Sequence, residues 1–361
     1  YTPSSLERKV FLFMGECLLA RGSGGSGASK DPLDNIPVVA GYCSILVTLK
    51  DSGGGLCSNM MVNCKDGTRW YNYKTNEQGM ALFQCNSGSA NFNCPNYYND
   101  GSKLVYMADQ AKIPKLVIDA PVGTKLAKEI MFNKVNSFNF AALDPFSSPT
   151  SANVVFRDTT KITNLIMVGA GGRGGYGYYT DPYGTGWKST EYGGGGGGGG
   201  AKNYAASVSI IKNQVYYLSV GQGGQGAGGT TSGFGYSANG GSAASGNSGG
   251  RGGIGLYSGG NGGNGWYKIL DGAEYDASNS TTGINGAGGG GGGGGLSSNG
   301  MCGYTAGSSN GGGRGGNWST NAINGTAYSG GGGGGGCGRG ASSDDHSFAG
   351  FGGSGRLTFN M

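Results

Sequence analysis

The single histidine, His346, stands in the segment SSDDHSF and is the first candidate for catalytic chemistry. A hydroxyl nucleophile, a base and a carboxylate therefore occur within a few residues of one another. A catalytic triad needs these groups to converge from separate parts of a rigid scaffold, which neighbours in one short segment do not achieve. In extended chain Asp344 and Asp345 also point away from each other, unlike a pair of glycosidase carboxylates. We expect a protein that is not an enzyme.

Tyrosine and tryptophan residues concentrate in three segments, 176–192, 264–276 and 317–328, and favour a binding surface. Tyr and Trp rings offer large, rigid contact areas at low entropy cost. Their faces stack on sugar rings while Asp and Asn bond hydroxyl groups, and the alternative is that single rings only cover a glycine core. The predicted binding residues are Tyr178, Tyr179, Asp181, Tyr183, Trp187, Trp266, Tyr267, Tyr275, Trp318 and Tyr328.

Eight cysteines and one histidine make a metal site improbable, because no C-x-x-C pair or zinc-ligand spacing is present. We expect neither a metal nor another cofactor. Six cysteines lie within the first 94 residues, where one or two disulfides are conceivable. Isolated buried thiols are the alternative that we favour.

The net charge of +5 is too diffuse to indicate a nucleic-acid partner. Four Arg-Gly pairs lie far apart, unlike the dense cationic repeats of RNA-binding segments, and we interpret them as solvated ends of glycine turns. The longest apolar stretch, Val10–Ala20, is interrupted by Gly15 and Glu16 and is too short to cross a bilayer. We therefore expect neither nucleic-acid binding nor membrane insertion. The four pairs begin at Arg173, Arg251, Arg314 and Arg339.

Three uninterrupted glycine runs must hold these residues in place: Gly193–Gly200, Gly288–Gly295 and Gly330–Gly336. Glycine can form an extended threefold helix that rises about 3.1 Å per residue and leaves its N–H and C=O groups pointing sideways. Neighbouring runs can then approach backbone to backbone and bond to one another. Disorder is the usual alternative, but 21 Tyr, 13 Phe and several strand-like segments argue against it. We predict a core of packed polyglycine II helices.

The remaining pattern predicts a mainly β chain in four parts. Apolar residues in Ser4–Ala20 recur at helical spacing, and a Gly/Ser linker follows at Gly22–Gly27. Short alternating strands separated by turn residues then indicate a β-sandwich. The predicted parts are a helical arm and linker (1–35), the β-sandwich (36–135), a connector (136–151) and a glycine-rich domain with a few strands (152–361).

The sandwich segment VTLKDSGGG, followed by MMVNCKDGTRWYNYKTNEQGMALFQC, resembles the carboxypeptidase-regulatory-like, or prealbumin-like, β-sandwich. Lys65–Gly67 and Thr75–Gly79 occupy the turns that are characteristic of that family. Such modules occur in bacterial surface proteins and phage structural proteins, mostly as spacers. The resemblance implies no chemistry for this part of the chain.

The glycine-rich part resembles the terminal domain of bacteriophage tail adhesins. The resemblance covers Ile162–Met361 and depends on the transitions from strand to glycine at Leu165–Gly172 and Tyr216–Gly229, and on the closing GFGGSGRLTF. It implies a polyglycine core with receptor-contacting loops at one end. The sandwich that precedes the domain differs from the layout of those adhesins.

Together these features predict a non-enzymatic viral attachment protein of a phage tail or fibre, located in the virion. Its partners would be a host cell-surface glycan or protein and other tail or filament subunits, and we expect an oligomer. The alternative is a structural subunit of an extracellular filament or surface assembly, in which the arm inserts into a neighbouring subunit.

Overall fold

The chain folds as β-strands joined by glycine-rich segments, which confirms the predicted mainly β class. A computed structural model describes residues 33–34, 36–101, 103–143, 150–180, 190–268, 274–275, 278, 280–291, 311–313, 322–327, 329–333 and 349–361. The predicted helical arm lies outside these residues. The described residues form two compact units, one up to Asn99 with Lys112–Asn133, and one of Asp100–Ala111 with Lys134–Met361.

The strands are numbered in chain order. The first ten are β1 (Cys43–Lys50), β2 (Met61–Asp66), β3 (Arg69–Lys74), β4 (Met80–Cys85), β5 (Ser89–Cys94), β6 (Tyr97–Asp100), β7 (Lys103–Met107), β8 (Ile113–Asp119), β9 (Lys125–Met131) and β10 (Ser137–Asn139). The rest are β11 (Ser151–Val155), β12 (Lys161–Val168), β13 (Tyr178–Thr180), β14 (Thr190–Tyr192), β15 (Lys202–Ser209), β16 (Val215–Ser219), β17 (Thr231–Gly233), β18 (Tyr236–Ala238), β19 (Tyr267–Lys268), β20 (Glu274–Tyr275) and β21 (Arg356–Asn360).

The first unit is a sandwich of two sheets, ordered β4-β1-β9 and β3-β2-β5-β8. Buried and more exposed residues alternate along its strands, because every second side chain enters the space between the sheets. The rings of Phe83 on β4 and Phe92 on β5 meet edge to face, with centroids 5.1 Å apart. The tight turn between β2 and β3 has Gly67 at φ 57°, a conformation that glycine adopts without steric cost.

The second unit has a sandwich at its base. One sheet is ordered β10-β21-β12-β15, and the strands that this unit contributes to the other are ordered β18-β17-β16-β11-β7. Aromatic rings fill the space between the sheets. Phe359 stacks on Phe138 at 4.6 Å and lies 5.8 Å from Phe156, measured between ring centroids. All three are at most 6% exposed, so they form a continuous core.

One long hairpin rises from this base. Strands β12 and β15 pair from Lys161 opposite Ser209 to Val168 opposite Lys202. The same register continues through glycine and into the pairing of β13 with β14, where Tyr178 lies opposite Tyr192. Between these strands the hydrogen bonds occur at every third residue. They join Gly169 N–H to Ala201 C=O, Gly172 N–H to Gly198 C=O, and Gly175 N–H to Gly195 C=O.

The segment 193–201 forms the centre of a glycine stack and is buried from residue 193 to residue 201. Every third N–H group reaches the same neighbour, as when Gly196 and Gly199 donate to Gly263 and Gly260. Six described segments surround it in this way. It donates to 239–246, 260–266 and 330–333, and it accepts from 169–175, 250–253 and 288–291.

At the border of the glycine stack, side chains form the hydrogen bonds that a neighbouring segment forms in its interior. The amide oxygens of Asn261 and Asn264 accept hydrogen bonds from the N–H groups of Gly252 and Gly249, at 2.8 and 2.9 Å. The Thr281 hydroxyl accepts from the N–H of Asn261 at 2.7 Å. Backbone groups at the edge are thus satisfied where no further segment can bond them.

Candidate functional site

The glycine stack ends in a small four-stranded sheet, ordered β13-β14-β19-β20, which we call the distal sheet. Its first two strands come from the first aromatic segment and its last two from the second. Pairing of β14 with β19 joins the segments, with Tyr192 opposite Tyr267 and Glu191 opposite Lys268. The fold therefore brings two of the three predicted binding segments into one structure.

Register places four tyrosines in one row across the distal sheet. Tyr178 is opposite Tyr192, Tyr192 is opposite Tyr267, and Tyr267 is opposite Tyr275. Residues that lie directly opposite one another belong to the same face of a sheet. We call Tyr178, Tyr192, Tyr267 and Tyr275 the tyrosine row.

The next row belongs to the other face, because successive residues of a strand alternate between faces. It contains Tyr179, Glu191, Lys268 and Glu274, so a lysine position lies between two glutamate positions. Opposite charges in directly paired positions stabilise the pairing of strands. The following pair, Thr180 and Thr190, returns to the face of the tyrosine row.

Trp266 directly precedes β19 and is buried. Its indole is 1% exposed, and its carbonyl accepts a hydrogen bond from the N–H of Gly193, which extends the pairing of β14 with β19 by one residue. Tyr267 follows directly and therefore belongs to the opposite face. The tyrosine row thus lies on the side of the sheet away from this buried ring.

The predicted binding residues fall into three groups. Trp266 is part of the core, so its ring is not presented at the surface as expected from residue type alone. Tyr178, Tyr267 and Tyr275 share the tyrosine row, while Tyr179 occupies the other face. Asp181, Tyr183, Trp187, Trp318 and Tyr328 lie outside the described residues. Tyr192, Glu191, Lys268 and Glu274 complete the sheet but were not among the predicted binding residues.

The described part of the third aromatic segment is hydrogen-bonded to neighbouring glycine-rich segments and is not a simple loop. Within 322–327 the N–H of Gly325 bonds to the carbonyl of Phe351, and that of Thr326 bonds to the carbonyl of Gly311. The Asn324 side chain accepts from the N–H of Phe351 at 2.8 Å. These residues therefore belong to the glycine stack, like the segments around 193–201.

An arginine lies close to the start of β13. The guanidinium carbon of Arg173 stands 3.9 Å from the ring centroid of Tyr176, a cation–π contact. One of its terminal N–H groups donates to the carbonyl of Gln225 at 3.4 Å. Burial lowers the pKa of Arg173 from its usual value, but an arginine remains charged at neutral pH. Tyr176 is 51% exposed, so this contact fixes a surface ring beside the distal sheet.

Five cysteines lie among the described residues. All five are buried and none of them is part of a disulfide, in agreement with the favoured prediction of buried thiols, although Cys64 and Cys85 lie 3.9 Å apart between their sulfur atoms. The hydrogen bond between Cys85 and Cys64, together with burial, raises the pKa of Cys85. Burial raises the pKa of Cys94 to about 12. A thiol in these surroundings stays protonated and is a poor nucleophile or ligand.

Within the described ranges, no group of three or more His, Cys, Asp or Glu side chains is arranged to hold a metal ion. No described helix is long and apolar enough to cross a membrane. The segment SSDDHSF, including His346, is outside the described residues.

A comparison with protein-family models finds no match for this chain, and a search of curated proteins likewise finds none. Function is therefore inferred from the geometry of the distal sheet and the stack beneath it.

Proposed function

We propose that the chain is a non-enzymatic attachment protein of a phage tail or fibre, which binds a host surface receptor through the distal sheet. The observation that carries this proposal is the register that unites two separate aromatic segments in one sheet at the end of the glycine stack. A surface rich in tyrosine on a rigid support suits recognition, because little entropy is lost when it binds. The resemblance of the sequence to phage tail adhesins supports the same role.

We also propose that the runs of the stack are polyglycine II helices. The recurrence of each neighbour at every third residue supports a helix with three residues per turn. The six neighbours of segment 193–201 fit the hexagonal packing of such helices. Gly283, at φ −68° and ψ 149°, and Ala287, at φ −66° and ψ 159°, have the backbone angles of this conformation.

The remaining parts would join the protein to the particle. The sandwich of the first unit would serve as a spacer, and the arm at Ser4–Ala20 would contact another virion subunit. Strands β3 and β8, at the two edges of the four-stranded sheet, offer backbone groups for further pairing.

Binding of the full chain to bacteria tests the proposal. Fluorescently labelled protein should bind saturably to some strains of a bacterial panel, and the double variant Tyr192→Val, Tyr267→Val should lose this binding. Valine favours strands, so the distal sheet should persist. A matched control is Tyr217→Val, which removes a tyrosine that is 61% exposed on β16 of the base.

Failure to bind any strain, or equal binding by the double variant, would refute attachment through the distal sheet. Assembly of the purified chain into filaments, visible by electron microscopy, together with absence of cell binding would favour the structural alternative.

A further inference from the structure

Strand β3 is an edge strand of the four-stranded sheet in the first unit and pairs with β2 along its whole length in one register. The strand at the other edge, β8, contains Pro114, and the register of its pairing shifts at this point. A proline and a shifted register both hinder pairing along an edge. The sequence of β3, RWYNYK, has no proline, so this edge is the better suited of the two to accept a further strand.

A hydrogen bond directly after β3 shows which of its backbone groups point outward. The N–H of Thr75 donates to the carbonyl of Met60 at 2.9 Å, so the backbone of Thr75 is directed toward the chain of β2. In a strand, successive residues direct their backbone groups to opposite sides. The N–H and C=O groups of Trp70, Asn72 and Lys74 are therefore directed to the open edge.

The side chains of β3 are incompletely covered at this edge. Trp70 is 60% exposed, and Lys65 on the neighbouring strand places its Nζ 5.5 Å from the centroid of the indole. Tyr71 and Tyr73 belong to the inward face, where the ring of Tyr73 lies 5.1 Å from that of Phe83. Both tyrosines are only partly buried, whereas the inward residues of β2 beside them are fully buried. A further strand beside β3 would cover these rings.

We propose that β3 pairs with β3 of a second copy of this chain, antiparallel and centred on Asn72. In this register Asn72 lies opposite Asn72 of the second copy, and Trp70 lies opposite Lys74. The residues whose backbone groups point outward then meet one another, and one two-fold axis relates the two chains. The two four-stranded sheets join into one continuous sheet. This inference does not depend on the proposed attachment function.

The side chains of β3 are self-complementary in this register. The ammonium group of Lys74 meets the indole of Trp70 in the second copy, which allows a cation–π contact in each half of the interface. On the inward face Tyr71 lies opposite Tyr73, and aromatic pairs across strands stabilise their pairing. The two Asn72 amides can donate to each other. Registers centred on Tyr71 or Tyr73 would lose the contact between lysine and indole.

The position of Asn72 on the two-fold axis gives a direct test by cross-linking. Residues that exchange both backbone hydrogen bonds have Cα atoms about 5.5 Å apart, within the range of about 4.4–6.8 Å that a disulfide spans. Glutathione disulfide would oxidise the two thiols of Asn72→Cys to one disulfide and would itself be reduced to two glutathione molecules. We expect a covalent dimer of the full chain on a non-reducing gel.

Val117→Cys is the matched control for cross-linking, because Val117 is 50% exposed on β8 at the other edge of the same sheet. It should form no more covalent dimer than the parent chain. The parent chain supplies the background from the native cysteines. Equal cross-linking of Asn72→Cys and Val117→Cys would overturn the proposal.

Exchange of charges tests the pairing without a covalent bond. Trp70→Lys places a lysine opposite Lys74 of the second copy and should weaken dimerisation about tenfold or more, and addition of Lys74→Glu to this variant should restore it. Sedimentation equilibrium of the full chain measures the dimerisation constants, and thermal unfolding shows whether each variant folds. A parent chain that stays monomeric at every concentration, or a dimer that Trp70→Lys does not weaken, overturns the proposal.

Discussion

At the scale of single residues, the glycine stack depends on the missing Cβ atoms. A methyl group on Gly198 would overlap the carbonyl group of Arg251, and one on Gly291 would overlap that of Gly333. Both obstacles are backbone atoms, which cannot rotate aside as a side chain can. The backbone of adjacent segments would have to separate, with loss of the hydrogen bonds between them.

We predict that Gly198→Ala or Gly291→Ala lowers the free energy of unfolding by about 3 kcal/mol or more, as expected for overpacking combined with broken hydrogen bonds. Gly226→Ala is the matched control, because nothing lies within 4 Å of a Cβ at that position. It should change stability by less than about 1 kcal/mol. Urea unfolding of the full chain measures these values. Equal stability of all three variants would contradict close backbone packing.

The thiol of Cys94 makes stability depend on pH. Its pKa is about 12 in the folded chain, raised mainly by burial from an ordinary value of 9.0. Unfolding therefore releases a proton between these values. The stabilisation is complete below about pH 9 and decreases by about 1.4 kcal/mol per pH unit as the pH rises towards 12.

We predict that the free energy of unfolding decreases by about 2 kcal/mol more in the parent chain than in Cys94→Ala between about pH 9 and about pH 10.5. Urea titrations of both proteins at the two pH values measure these free energies. Comparing the parent chain with Cys94→Ala cancels the contributions of the other thiols and of the tyrosines. The same pH dependence in both proteins would show that Cys94 ionises alike in the folded and unfolded chains.

At the scale of elements, the long hairpin connects the base sandwich with the distal sheet. The hairpin keeps one register along its whole length. This register holds for the strand pairing at its two ends and for the hydrogen bonds at every third residue between those ends. A shift by one residue would exchange the faces of β13 and β14. The position of the tyrosine row is therefore coupled to the packing of the glycine segments below it.

We predict that the amides of segment 193–201 exchange with deuterium much more slowly than those of 222–227. The former segment is buried and bonds to several others, while most of the latter is partly or fully exposed. Exchange in a buried, hydrogen-bonded segment requires a large cooperative opening. Mass spectrometry of peptides from the native chain measures the rates, and fast exchange within 193–201 would argue against a stable stack.

The sequence pattern predicts strands at Ser44–Lys50, Lys103–Met107 and Arg356–Met361, and the structure has β1, β7 and β21 there. Their alternating apolar residues mark one buried face. Strand β5, with the sequence SANFNC, was missed because small and polar residues occupy most of its positions. Strands β13, β14, β19 and β20 contain two or three residues each, too few for any periodicity to appear.

The candidate site was predictable in composition but not in arrangement. Residue type indicated aromatic binding segments, and Tyr178, Tyr267 and Tyr275 share a row in the sheet. Residue type could not show that the Trp266 ring enters the core, because its burial depends on pairing between segments far apart in the chain. Tyr192 ends the first aromatic segment and was not among the predicted binding residues, but the pairing of β14 with β19 places it in the row.

At the scale of the whole molecule, charge and recognition are separate. The chain carries a net charge of +5, which attracts it weakly to any anionic cell surface. Among the paired positions of the distal sheet, those of the tyrosine row are tyrosines and carry no charge. Attachment through this row and attachment through net charge therefore respond differently to salt, because salt screens only the second.

We predict that binding of the full chain to susceptible bacteria changes less than about twofold when the ionic strength rises from about 0.1 to about 1 M. This change shortens the Debye length from about 10 Å to about 3 Å and would remove most attraction between exposed charges. Flow cytometry of cells with labelled protein measures the effect, and Tyr178→Val supplies the background that does not involve the tyrosine row. A tenfold loss of binding that is equal in both proteins would assign attachment to net charge, because added ions do not screen the contacts of uncharged rings and hydroxyls.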